Sequence, residues 1–215
     1  MPGKQHTEWA VSYTHQVADN IRHYRSRRRL SVQKLADRCT AMGYPIDRTS
    51  LTNLELGRRN LLSVPELLVV ARALQVPPLT LLTPPTSDER VEILPGVETD
   101  PQEAFAWLDG TAPLPGDPDD DGAGPRAALR LLREHQKLLA DWTARTRAAA
   151  AAQARAEDDA EQHRDAWKTA AHGHTERAGH AEQLLAQLRD TMRARDITLP
   201  PLPPELIHLD HRPDG

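Results

Sequence analysis

The stretch RTSLTNLELGRRN, residues 48–60, carries side chains that could bond a flat edge bearing both donors and acceptors. Arg48, Thr49, Ser50, Thr52 and Asn53 are polar, whereas Leu51 and Leu54 are not. Read as a helix, one face packs and the opposite face offers hydrogen-bonding groups at its N-terminal end. A guanidinium can bond guanine O6 and N7 together, and a carboxamide can do the same with adenine N6 and N7. That is recognition chemistry, not catalysis. The plainer reading is a solvated helix face, and the surrounding elements decide between the two.

Those elements are short helices. Val17, Ile21, Tyr24 and Arg28 recur at helical spacing over 14–29, after a lead-in at 1–13 without clear period. Ser31 is placed to cap a second helix, SVQKLADRCTAM, with Leu35, Cys39 and Met42 on its inner face. Gly43 and Pro45 end it, and Asp47 caps the third helix, which Gly57 stops. Ser63-Val-Pro-Glu66 is a capping box opening a fourth helix with Leu67, Val70, Ala71 and Leu74 inward. A short fifth turn, PPLTLL, returns Leu79 and Leu82 to the core.

Charge divides the chain in three. Residues 1–83 hold 12 Lys+Arg against 6 Asp+Glu, residues 84–125 hold one Arg against 11 acids, and residues 126–215 hold 14 of each. A basic head, an acidic tether and a balanced tail are expected. Residues 84–125, rich in Pro and including the Asp119-Asp120-Asp121 run, read as a linker. Within it, DPQEAFAWLDG at 100–110 signals a short helix over 100–109, capped by Asp100 and Glu103. Phe105, Trp107 and Leu108 there either dock on the head, the favoured reading, or bind a protein partner.

Residues 126–195 contain no proline and favour one long helix or a helical hairpin. A seven-residue grid fits the span. One register includes Leu132, Leu139, Gln153, Trp167, Ala181 and Leu188, and its partner includes His135, Trp142, Ala156, Ala170, Leu184 and Thr191. The span is therefore expected to pair two copies of the chain, or to meet a protein partner where the middle of the grid is weak. Residues 196–215 read as a flexible tail.

Taken together, IRHYR (21–25), LSVQKLA (30–36), RTSLTNLELGRRN (48–60) and LLVVARALQV (67–76) resemble the phage-repressor-like helix-turn-helix family of the Cro or xenobiotic-response-element type, over residues 14–83. The resemblance implies an all-α, five-helix lambda-repressor-like domain, followed here by the acidic linker and a long C-terminal helix, as coiled coil or hairpin. It implies base contacts from Arg48, Thr49, Thr52 and Asn53, and phosphate contacts from Ser31, Gln33, Arg58, Arg59 and Asn60. It also implies a structural ion pair between Arg25 and Glu55. Two features depart from the family pattern: Val32 stands where the family often has Gln, and eleven residues separate Ala36 from Arg48, so the connection is wider than usual. The implied function is a dimeric, sequence-specific transcriptional repressor acting on double-stranded DNA in the cytoplasm, with a protein-binding adaptor or antitoxin as the alternative.

Other constellations are weaker. His172, His174 and His180 do not make a closed metal site. Cys39 is a single thiol on an inner stripe, so a buried small hydrophobe is expected. The Arg27–Arg29 run reads as a generic basic surface. No phosphate-binding glycine loop, nucleophile elbow or cofactor motif is present, so neither an enzyme nor a cofactor is expected. The opening MPGKQHTEWAV lacks the charged start and apolar run of a secretory signal.

Overall fold

The computed structural model describes residues 2–83, 89–118, 124–158 and 161–210. The chain divides into two compact units, Met1–Asp119 and Asp120–Gly215.

The first unit opens with α1, Pro2–Arg27, followed by α2, Val32–Ala41, α3, Arg48–Glu55, α4, Val64–Leu74, and α5, Pro78–Leu82. Three of their starts are fixed by side-chain caps. Ser31 accepts from Lys34 N, Asp47 from Ser50 N, and Ser63 forms a complete capping box with Glu66. Val17, Ile21, Leu35, Cys39, Leu51, Leu54, Val70, Leu74 and Leu81 meet in one core. Burial raises the Cys39 thiol pKa, which keeps it protonated and inert.

Several expectations are corrected here. Residues 2–13 are not a loose lead-in but the first turns of α1. Their helix is held from outside the local sequence, since Trp9 Nε1 donates to the Glu92 carbonyl at 2.9 Å and Tyr13 Oη to the Leu82 carbonyl at 3.2 Å. Met42 is not on the inner stripe: α2 stops at Ala41, Met42 is its C-cap and 41% exposed, and Ile46 of the connection is buried instead. In α5 the fully buried residue is Leu81, with Leu79 and Leu82 only partly covered.

The stretch after α5 is more than a tether. Strands β1, Val91–Leu94, and β2, Val97–Thr99, form an antiparallel hairpin around Pro95-Gly96, followed by α6, Pro101–Leu108. Gly96 has φ +75, which the two-residue turn requires. Val91, Ile93, Ala104 and Leu114 make a second small core, with Tyr13, Trp107 and Leu108 packed against it. The island at 100–109 thus docks on the first unit, capped by Asp100 and Glu103. Alternating burial along Val91–Leu94 supplied the apolar face that the overall acidity concealed. The Asp119–Asp121 run lies outside the described residues.

The second unit is a helical hairpin of α7, Pro125–Asp158, and α8, Glu161–Ala194. His135 meets Arg189 near one end and Arg155 lies over the Trp167 ring, 4.8 Å from its centroid, near the other, so the two helices run antiparallel. Ala171, Ala178, Leu185 and Met192 are buried at seven-residue spacing, with Ala181 beside them, facing Ala152, Ala156 and His135. The expected grid holds in part. Its second register fits α7 at His135 and Ala156 but runs one residue early in α8, where Leu185 is fully buried and Leu184 is 38% exposed. Its first register fits α8 at Ala181 but is one residue late in α7, where Ala152 rather than Gln153 is buried. The phase changes between the helices, as a chain reversal allows and one continuous helix does not. The seam expected to join two copies is therefore closed within one chain.

Residues 196–210 are not a free tail. They end in a 3-10 helix, Pro204–Asp210, whose Leu206 is fully buried. Residues 211–215 lie outside the described residues. No helix among the described residues is long and apolar enough to cross a membrane.

Candidate nucleic-acid interface

Helix α3 is fixed from three sides. Leu51 and Leu54 are 1% and 0% exposed and anchor its rear face. Asp47 locks its first turn, accepting from Ser50 N at 2.8 Å and from Ser50 Oγ at 2.6 Å. The Ser50 side-chain bond, then its backbone bond, hold the Asp47 carboxyl below its ordinary pKa, so the cap is charged at neutral pH. At the far end Glu55, only 7% exposed, binds Arg25 of α1 at 2.6 and 2.7 Å. Arg25 also donates to the Leu30 carbonyl at 2.7 Å, so one guanidinium ties α1, the entry to α2 and α3.

The opposite face of α3 is open. Arg48 and Thr49 are exposed, and Thr52 and Asn53 are half-buried. Among the described residues no side-chain hydrogen bond ties up any of these four. Their donors and acceptors are available to a ligand, and the helix N-terminus they surround adds a positive dipole end.

The candidate phosphate contacts differ in their freedom. Ser31 keeps its hydroxyl proton while its oxygen caps α2, and Arg58 is exposed. Gln33 is occupied by Asp37 at 2.8 Å. Arg59 is held by both oxygens of Glu66 at 2.6 and 2.7 Å, and Asn60 Oδ1 lies 3.2 Å from His15 Nε2. Arg59 and Asn60 thus brace the exit of α3 within the chain. The supporting roles of His15 and Glu66 were not read from sequence. The capping box revealed Glu66, but nothing local revealed its second partner, and His15 is 45 residues from Asn60.

His172 pairs with Glu176 at 3.3 Å on the second unit. No group of three or more His, Cys, Asp or Glu among the described residues could hold a metal ion.

Comparison with known proteins agrees with this geometry for about a third of the chain. Residues 16–82 match a family model described as a helix-turn-helix domain. No curated protein and no solved structure gives a significant match.

Proposed function

From a helix-turn-helix domain at residues 16–82, we propose that the chain is a sequence-specific DNA-binding transcriptional regulator whose α3 enters the major groove. Arg48 and Asn53 read base edges in this proposal, with Thr49 and Thr52 beside them. Ser31, with the α2 N-terminal amides, and Arg58 take phosphates. Gln33, Arg59 and Asn60 reach the backbone only by sharing or exchanging their present partners. The single observation that carries the reading is the set of four unengaged polar side chains on the open face of a helix locked by Asp47, Leu51, Leu54 and Glu55. A net of +6 on residues 1–83, 12 Lys+Arg less 6 Asp+Glu, adds attraction for phosphates.

We further propose that two heads act together as a repressor on neighbouring half-sites, because one small module has limited affinity. With the α7–α8 seam closed within the chain, pairing through 126–195 falls to the outer faces of the hairpin, where Leu129 and Leu184 are 43% and 38% exposed. The same closure favours a second reading for this unit alone: a self-sufficient protein-docking hairpin. Selection of bound duplexes from a random pool tests the main reading. A single enriched motif with major-groove protection is expected, and an unenriched pool contradicts it. Sedimentation of the full chain and of a chain lacking 126–215 separates the two roles for the hairpin.

A further inference from the structure

Arg189 is the largest fully buried side chain of the second unit, at 1% exposure, and its partners come from three segments. Its Nη1 lies 2.7 Å from His135 Nε2 on α7 and donates to the Pro200 carbonyl at 2.9 Å. Its Nε donates to Asp210 Oδ1 at 3.1 Å, and Nη2 bonds the same oxygen. One guanidinium thus pins both ends of the C-terminal strap, Pro200 and Asp210, to the helical hairpin. A guanidinium has donors only, so His135 Nε2 must be the acceptor. The ring is therefore neutral, with its proton on Nδ1, and among the described residues that buried Nδ1 has no hydrogen-bond partner.

We propose that His135 is a proton-operated latch: its neutral ring receives Arg189 and keeps the strap at 197–210 seated, and its protonation ejects Arg189 and frees the strap. A protonated imidazole offers no lone pair and sets a second cation against the guanidinium, where Asp210 is the carboxylate that the described residues supply. The charged groups facing the ring are Arg189 from α8 and Asp210 from the strap. Arg193, also from α8, reaches the same Asp210 oxygen at 3.4 Å. Burial, then the Arg189 charge, hold the imidazole below its ordinary pKa, and Asp210 acts in the opposite direction. The latch is therefore closed at neutral pH. The strap stability it supplies is full above the ordinary histidine range and is lost as pH falls through the lowered value. His208, also on the strap, lies 2.8 Å from Glu182 of α8.

Amide hydrogen exchange in residues 197–210 of the full chain, corrected for intrinsic rates, tests this between pH 7.5 and 5.0. Strap opening should rise roughly tenfold or more in the wild type. In His135→Gln, whose amide oxygen can accept from Arg189 without titrating, opening should stay flat. An equal rise in His135→Gln, or no rise in the wild type, overturns the proposal. If that variant does not fold, nitrogen NMR of the wild-type ring decides. A neutral ring protonated on Nδ1 at pH 7.5, titrating together with strap opening, supports the latch. An imidazolium, or a ring protonated on Nε2, rules it out.

Discussion

Arg25 and Glu55 are joined by two hydrogen bonds, Nε to Oε1 at 2.7 Å and Nη2 to Oε2 at 2.6 Å, so α1 grips the end of α3. The side chains are 15% and 6% exposed. The bond to Glu55 raises the Arg25 pKa against the opposing effect of burial. Removing one partner leaves a buried charge uncompensated. Glu55→Ala should therefore destabilise the first unit by about 3 kcal/mol, read by urea unfolding. A loss below about 1 kcal/mol would mean that the pair is solvated in practice.

Thr83 gives a prediction of opposite sign. It is 0% exposed, and among the described residues its Oγ1 has no hydrogen-bond partner. Thr83→Val keeps the shape and deletes the orphaned hydroxyl, so stability should rise by about 1 kcal/mol. A fall would reveal a partner for that hydroxyl in solution.

Gly57 leaves α3 at φ +66, and a Cβ placed there would meet the His15 ring at 3.5 Å, an ordinary contact. The cost of Gly57→Ala is thus conformational rather than steric. It should be about 1 kcal/mol, measured by thermal unfolding.

Acid sensitivity should trace partly to Glu66. Burial raises its pKa, but the bonds from Arg59 and Ser63 outweigh that and leave it lowered. A lowered carboxylate pKa gives stability that is present above the ordinary value, 4.5, and is lost as pH falls through the folded-state value. Glu66→Gln should flatten that part of the stability–pH curve. An unchanged curve would place the acid transition elsewhere.

What the sequence disclosed was local. Ser31, Asp47, Ser63 and Asp100 all cap helices, because a cap is decided within four residues. The elements it concealed depend on distant partners. Residues 2–13 join α1, bound from far along the chain at Glu92 and Leu82. The VEIL-PG-VET hairpin carried its own signal, alternation around Pro-Gly, but the acidity of 84–125 outweighed it in a compositional reading. The heptad slip at Leu184 and Leu185 has the same origin, since a chain reversal resets the phase that a single grid assumes. The open face of α3 was legible because its leucines have helical spacing. The bracing of Arg59 by Glu66 and of Asn60 by His15 was not, because it is tertiary.

If α3 reads base edges as proposed, Arg48 and Asn53 should each discriminate at one base pair. The most direct measurement compares the wild type with Asn53→Ala, and with Arg48→Ala, on the selected duplex and on duplexes changed at one base pair each. Each variant should lose roughly 1–3 kcal/mol on the selected duplex and little more on the duplex already changed at its own contacted pair. An equal loss on every sequence would contradict the account, because it would make these side chains phosphate contacts without a part in reading the bases.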